Sequence, residues 1–79
     1  TFFSLLGLFK ESEADVLRTL ELEPRHFGAL SGQGLIRIAL QDWTGAIYFL
    51  ESALKINPHM NGVIMNLKYA RQKQKESMT

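Results

Sequence analysis

The chain has 79 residues, 46% apolar and 22% charged, with a net charge of +1 and no cysteine. That length gives one small domain with a thin core, about 60% of the unfolded surface being buried; the composition excludes a disordered chain, and the near-neutral charge gives no global drive toward nucleic acid or a membrane surface. Without cysteine there are no disulfides, thiolate metal sites or cysteine nucleophiles, which fits a reducing compartment such as the cytoplasm.

The sequence opens on Thr1 rather than Met, which points to a processed or excised piece. The first nine residues, TFFSLLGLF, are apolar but far short of the ~20 needed to span a bilayer. They also lack the basic start and cleavage site of a signal peptide, and read as the end of a core helix. The pattern predicts five helical pieces: residues 2–6, the tail of a helix cut short by the chain start, then 9–22, 26–40, 43–56 and 60–76. Val16, Leu17 and Leu20 keep helical spacing, and Ala46, Phe49, Leu50, Ala53, Leu54 and Ile56 form one broad apolar stripe. Pro24 and Pro58 each end a helix, because proline lacks an N–H and disfavours the helical conformation in the residue before it. Asp42 is a helix start signal. No stretch alternates long enough for a strand, and the short connections make successive helices antiparallel.

A repeat runs through this pattern. Leu20-Glu21-Leu22-Glu23-Pro24 returns as Leu54-Lys55-Ile56-Asn57-Pro58, and the two prolines are 34 positions apart. Within the second unit Gly34, Ala46, Leu50, Ala53 and Pro58 hold the small, aromatic-or-large and proline positions of a helix–turn–helix repeat. A 34-residue unit of this kind resembles the tetratricopeptide repeat. Leu30, Gln33 and Arg37 stand where that family has Trp, Leu and Tyr, so the first helix of the unit departs from the pattern. The resemblance implies an all-α fold of antiparallel helix–turn–helix hairpins, an α-solenoid fragment over residues 1–79. Residues 1–24 form a partial repeat, 27–60 a full one and 61–79 a polar capping helix. Ile64 and Leu67 hold the Trp and Leu positions in that last segment. Roughly three repeats are needed for stability, so one full and two partial units imply a marginal, oligomeric or longer-array protein.

The chemistry-bearing residues give no catalytic constellation. Gly28, Gly32 and Gly34 lack the strand and the spacing of a phosphate loop and are expected to let two helices approach closely. His26 and His59 are turn residues with no co-ligands, so no metal or cofactor is implied. No serine lies in a nucleophile elbow or a Ser-x-x-Lys frame, and the acids at 11–15 and 21–23 read as a solvated face; the chain is not expected to be an enzyme. Residues 1–24 carry net −3 and residues 25–79 net +4, a hint of charge-guided stacking. Lys68, Arg71, Lys73 and Lys75 suit the C-terminal end of a helix, or an acidic protein partner. In DWTGAIYFLESALKINP (42–58), Trp43 and Leu50 read as core and inter-repeat packing, Phe49 as shared with the next helix, and Tyr48 as the one reaching solvent.

In the family the first helix of each unit lines a concave groove. The resemblance therefore implies a partner-binding face of Ser31, Leu35, Ile38, Met65, Tyr69 and Gln72, with Gly28 and Ala39 beside them. This lining is small and apolar, and only Asn66 and Lys73 approach the polar set of a carboxylate clamp, so an apolar helix or extended segment suits it better. The expected function is a scaffold or adaptor binding a protein or peptide, with no nucleic acid and no membrane. The alternatives are a self-associating structural segment that forms a homo-oligomer and a regulatory appendage of a larger protein.

Overall fold

The computed structural model describes the backbone of residues 2–78 and the side chains of residues 10–78. Thr1 and Thr79, the ends of the expected domain, and the packing expected for the TFFSLLGLF side chains lie outside the described residues. The fold is all-α: α1 (Phe2–Leu22), α2 (Phe27–Ala39), α3 (Trp43–Ile56) and α4 (Asn61–Ser77) pack as successive helical hairpins. The last three match the expected helices to within a residue at each end. The first does not. Instead of two pieces, 2–6 and 9–22, α1 runs unbroken for 21 residues. Gly7 weakens a helix by about 1 kcal/mol relative to Ala without ending it, and neither proline nor a capping side chain stands at positions 7 and 8.

Each joint is held by local hydrogen bonds. After Pro24, His26 caps α2, its Nδ1 accepting from the Ala29 N–H at 3.0 Å. Asp42 caps α3 in the same way, Oδ1 accepting from the Gly45 N–H at 3.1 Å. A Cβ on Gly45 would come within 2.4 Å of the Asp42 carboxylate, so the cap needs glycine there. Between α2 and α3 the chain reverses through Gln41, whose φ is 62°. The Asp42 N–H bonds the Arg37 carbonyl at 2.8 Å and the Gln41 N–H bonds the Ile38 carbonyl at 2.9 Å. This pair of bonds is a Schellman helix end, whose left-handed position is usually glycine. The Arg37 side chain closes the same turn on Asp42 at 3.4 Å and reaches across to Glu13 of α1. Because an L-residue in the left-handed conformation costs about 1–2 kcal/mol, offset in part by the greater freedom of glycine in the unfolded chain, Gln41→Gly is expected to raise stability by about 0.5–1 kcal/mol. Paired urea denaturation curves measure this directly, and a lower midpoint for the variant contradicts it.

The core lies around α3. Leu30, Leu50, Ala53, Val63 and Leu67 form a buried cluster from α2, α3 and α4, rimmed by Leu20, Phe27, Ile38, Ile47, Phe49, Leu54 and Ile56. Gly34 of α2 is where the helices close up: a Cβ there would lie 2.5 Å from Leu50 Cδ2 and 2.7 Å from its Cγ. Of the three glycines of α2, this interlock of a large residue over a vacant one holds at Gly34 alone. A Cβ at Gly28 would meet only the His26 ring, at 3.2 Å, and one at Gly32 would meet nothing within 4 Å. The close approach expected of all three glycines is thus confined to one, since the other two do not face a neighbouring helix at contact distance. Helix α4 runs back along α3, with Tyr69 edge-on to Trp43 at 5.9 Å, Gln74 donating to Thr44 at 2.9 Å and Arg71 paired with Glu51 at 3.4 Å. It also touches α2 over a small area.

Candidate partner-binding face

The six residues expected to bind a partner fall on these two adjacent helices, Ser31, Leu35 and Ile38 on α2 and Met65, Tyr69 and Gln72 on α4. Their surroundings differ. Leu35, Met65 and Tyr69 are 48%, 70% and 48% exposed, a large apolar allotment for neighbouring helices of a small chain. Ile38 is half-buried and packs on the rim of the core, so it supports the face from beneath more than it presents to solvent. Ser31 is also half-buried, and its hydroxyl donates back to the Gly28 carbonyl at 3.2 Å. Gln72 is exposed and donates to Glu76 at 3.3 Å.

Tyr69 is the most constrained of the exposed three. Its ring meets Trp43 edge-on, and the Lys73 ammonium sits 5.8 Å from the ring centroid. A half-exposed aromatic held between a second ring and a cation loses little freedom on binding, which suits an interface anchor. Sequence reasoning assigned Trp43 to packing alone; its contact with Tyr69 makes it the support for a candidate binding residue. The signal was the 26-residue separation of two aromatics on helices that run antiparallel, which no local pattern carries.

The other candidates have structural surroundings. His26 is a helix cap, and the His59 N–H bonds Asn57 Oδ1 at 3.4 Å. Leu50 has no exposed surface, Trp43 and Phe49 are half-buried, and Tyr48 is 66% exposed with Phe49 against its ring at 5.2 Å. In the basic segment Arg71 pairs with Glu51 and Lys73 with Glu76. Among the described residues no group of three or more His, Cys, Asp or Glu is placed to hold a metal ion, and no helix is long and apolar enough to cross a membrane. No protein-family model and no curated protein matches the chain.

Proposed function

We propose that the chain is a protein-interaction module of the tetratricopeptide type, a scaffold or adaptor that takes an apolar helix or extended segment of a partner protein on the α2–α4 face. The observation that carries this reading is the exposure of Leu35, Met65 and Tyr69 on two helices that touch. The repeat character is supported by the zero exposure of Ala46, Leu50 and Ala53, by the glycine at position 34 seated against Leu50, and by the packing of α4 on both α3 and α2. A side chain of this size contributes about 1.5–3 kcal/mol when fully buried, so three of them sustain a weak to moderate interface.

The test is a pair of charge substitutions, Leu35→Glu and Met65→Glu, assayed by capture of a partner that binds the unaltered full chain. Both sites are exposed, so the helical circular-dichroism spectrum is expected to persist while affinity falls at least about tenfold, the equivalent of ~1.4 kcal/mol. Leu22→Glu, at a 79% exposed position on α1, serves as the control that leaves binding intact. Unchanged capture by the double variant overturns the proposal. A dimer resistant to dilution in light scattering, abolished by the same substitutions, makes a second copy of the chain the occupant.

A further inference from the structure

A second feature lies away from that face. Between the α1–α2 turn and α3 there is an open cleft of about 280 Å³. Its apolar side is Leu30 and Ile56, and its polar side is Arg25 from the turn with Tyr48, Ser52 and Lys55 from α3. Arg25 and Lys55 are exposed, and among the described residues neither has a carboxylate within ion-pairing distance. The carboxylate best placed in sequence to neutralise Lys55, Glu51 one helical turn before it, is engaged with Arg71 at 3.4 Å. The Ser52 hydroxyl donates to the Tyr48 carbonyl at 2.8 Å, which leaves its oxygen free to accept but its proton used. What faces the cleft is therefore two uncompensated cations and a phenol, over an apolar floor.

We propose that this cleft binds an acidic segment of a partner protein in which a carboxylate side chain neighbours an apolar one. The carboxylate takes Arg25 and Lys55, and the apolar side chain covers Leu30 and Ile56. Two cationic residues from different elements, lining one cleft and without counter-charges among the described residues, attract a carboxylate and disfavour a basic segment. The apolar floor and the small volume favour a side-chain pair over a bare anion or a nucleotide. The cleft involves neither Leu35 nor Met65, so a module with both sites grips its partner in two places, with the gain in effective concentration that follows.

The experiment uses the isotope-labelled full chain and a blocked Leu-Glu-Leu-Glu peptide as probe, read by amide chemical shifts at low salt. Shifts are expected at Arg25, Ser52 and Lys55, with a Kd on the order of 1 mM for so small a ligand. Raising the salt to physiological strength is expected to weaken binding severalfold, because exposed charges are screened. The double variant Arg25→Glu/Lys55→Glu is expected to lose at least about tenfold in affinity for this probe and to gain affinity for a blocked Lys-Leu-Lys-Leu peptide. Retained helical content confirms that the variant is folded. Equal binding by the double variant, shifts centred on Leu35, Met65 and Tyr69, or no shifts at all overturns the proposal. So does displacement of the probe by inorganic phosphate at equal concentration, which would make the cleft a plain anion site. Dilution-dependent shifts at these amides without probe would assign the cleft to a second copy and overturn the separate partner.

Discussion

Leu50→Ala is expected to lower the unfolding free energy by about 3–4 kcal/mol, read from urea or thermal unfolding followed by circular dichroism. Leu50 has no exposed surface and sits in the buried cluster where α2, α3 and α4 meet. Truncation removes the side chain that fills the space left by Gly34, and α2 cannot collapse into it without shifting the Schellman turn that joins it to α3. A chain of this size has a total stability of roughly 4–10 kcal/mol, so the variant is expected to be largely unfolded at modest denaturant. Gly34→Ala tests the same contact from the other side. Its Cβ would fall 2.5 Å from Leu50 Cδ2, and because Leu50 is fully enclosed its side chain has nowhere to swing, so a loss of about 1–3 kcal/mol is expected. In the double variant Gly34→Ala/Leu50→Ala the added methyl occupies part of the vacated space, so the two losses are expected to sum to more than the double variant shows. A loss below about 1 kcal/mol for Leu50→Ala contradicts this account of the core.

Gln33→Met is expected to act in the opposite direction, raising stability by about 1–3 kcal/mol. Gln33 is the one buried polar residue among those described. Its side chain is fully enclosed, and neither amide atom has a hydrogen-bond partner among the described residues. A buried amide that exchanges water for nothing carries its whole desolvation penalty. Methionine keeps the unbranched shape and removes both polar atoms, so the space is filled and the penalty relieved. Leucine is expected to do the same with a somewhat different fit. A lower melting temperature for Gln33→Met would contradict the absence of a partner for the amide. Among the described residues, Gln33 and the Gln41 turn put two unrelieved local penalties in and directly after α2.

Helix α3, at the centre of the core, was readable because its signals are local. Asp42 announces α3, the stripe from Ala46 to Ile56 defines its buried side, and Pro58 ends it. The close approach at Gly34 was expected, but that Leu50 is the residue seated against it is given only by the fold. The misreadings have equally specific causes. The break expected near Gly7 does not occur because one glycine without a proline or a cap leaves the helix intact. The close packing expected of Gly28 and Gly32 fails because a side chain at either position would meet no described residue of a neighbouring helix. The left-handed turn at Gln41 and the cap at His26 carry no usual residue signal, so only backbone geometry reveals them. The burial of Gln33 was hidden because its polar side chain reads as surface. On the candidate face, Leu35, Met65 and Tyr69 were singled out by the resemblance alone, whereas the seating of Ile38 on the core rim and of Tyr69 on Trp43 depends on how α2, α3 and α4 settle together. Arg25 and Lys55 are 30 residues apart and meet at one cleft only through the fold.

The claim on which the functional reading stands is that the α2–α4 face meets the partner. Site-specific photo-crosslinking tests it most directly, with a benzophenone side chain placed in turn at positions 35 and 65 and, as controls, at the exposed positions of Leu17 and Met78. With a partner bound to the full chain, crosslinks are expected from positions 35 and 65, and they are expected to disappear when Tyr69→Ala is added. Crosslinks from position 17 or 78 with none from 35 and 65 would contradict the account and move the interface to another surface of the molecule.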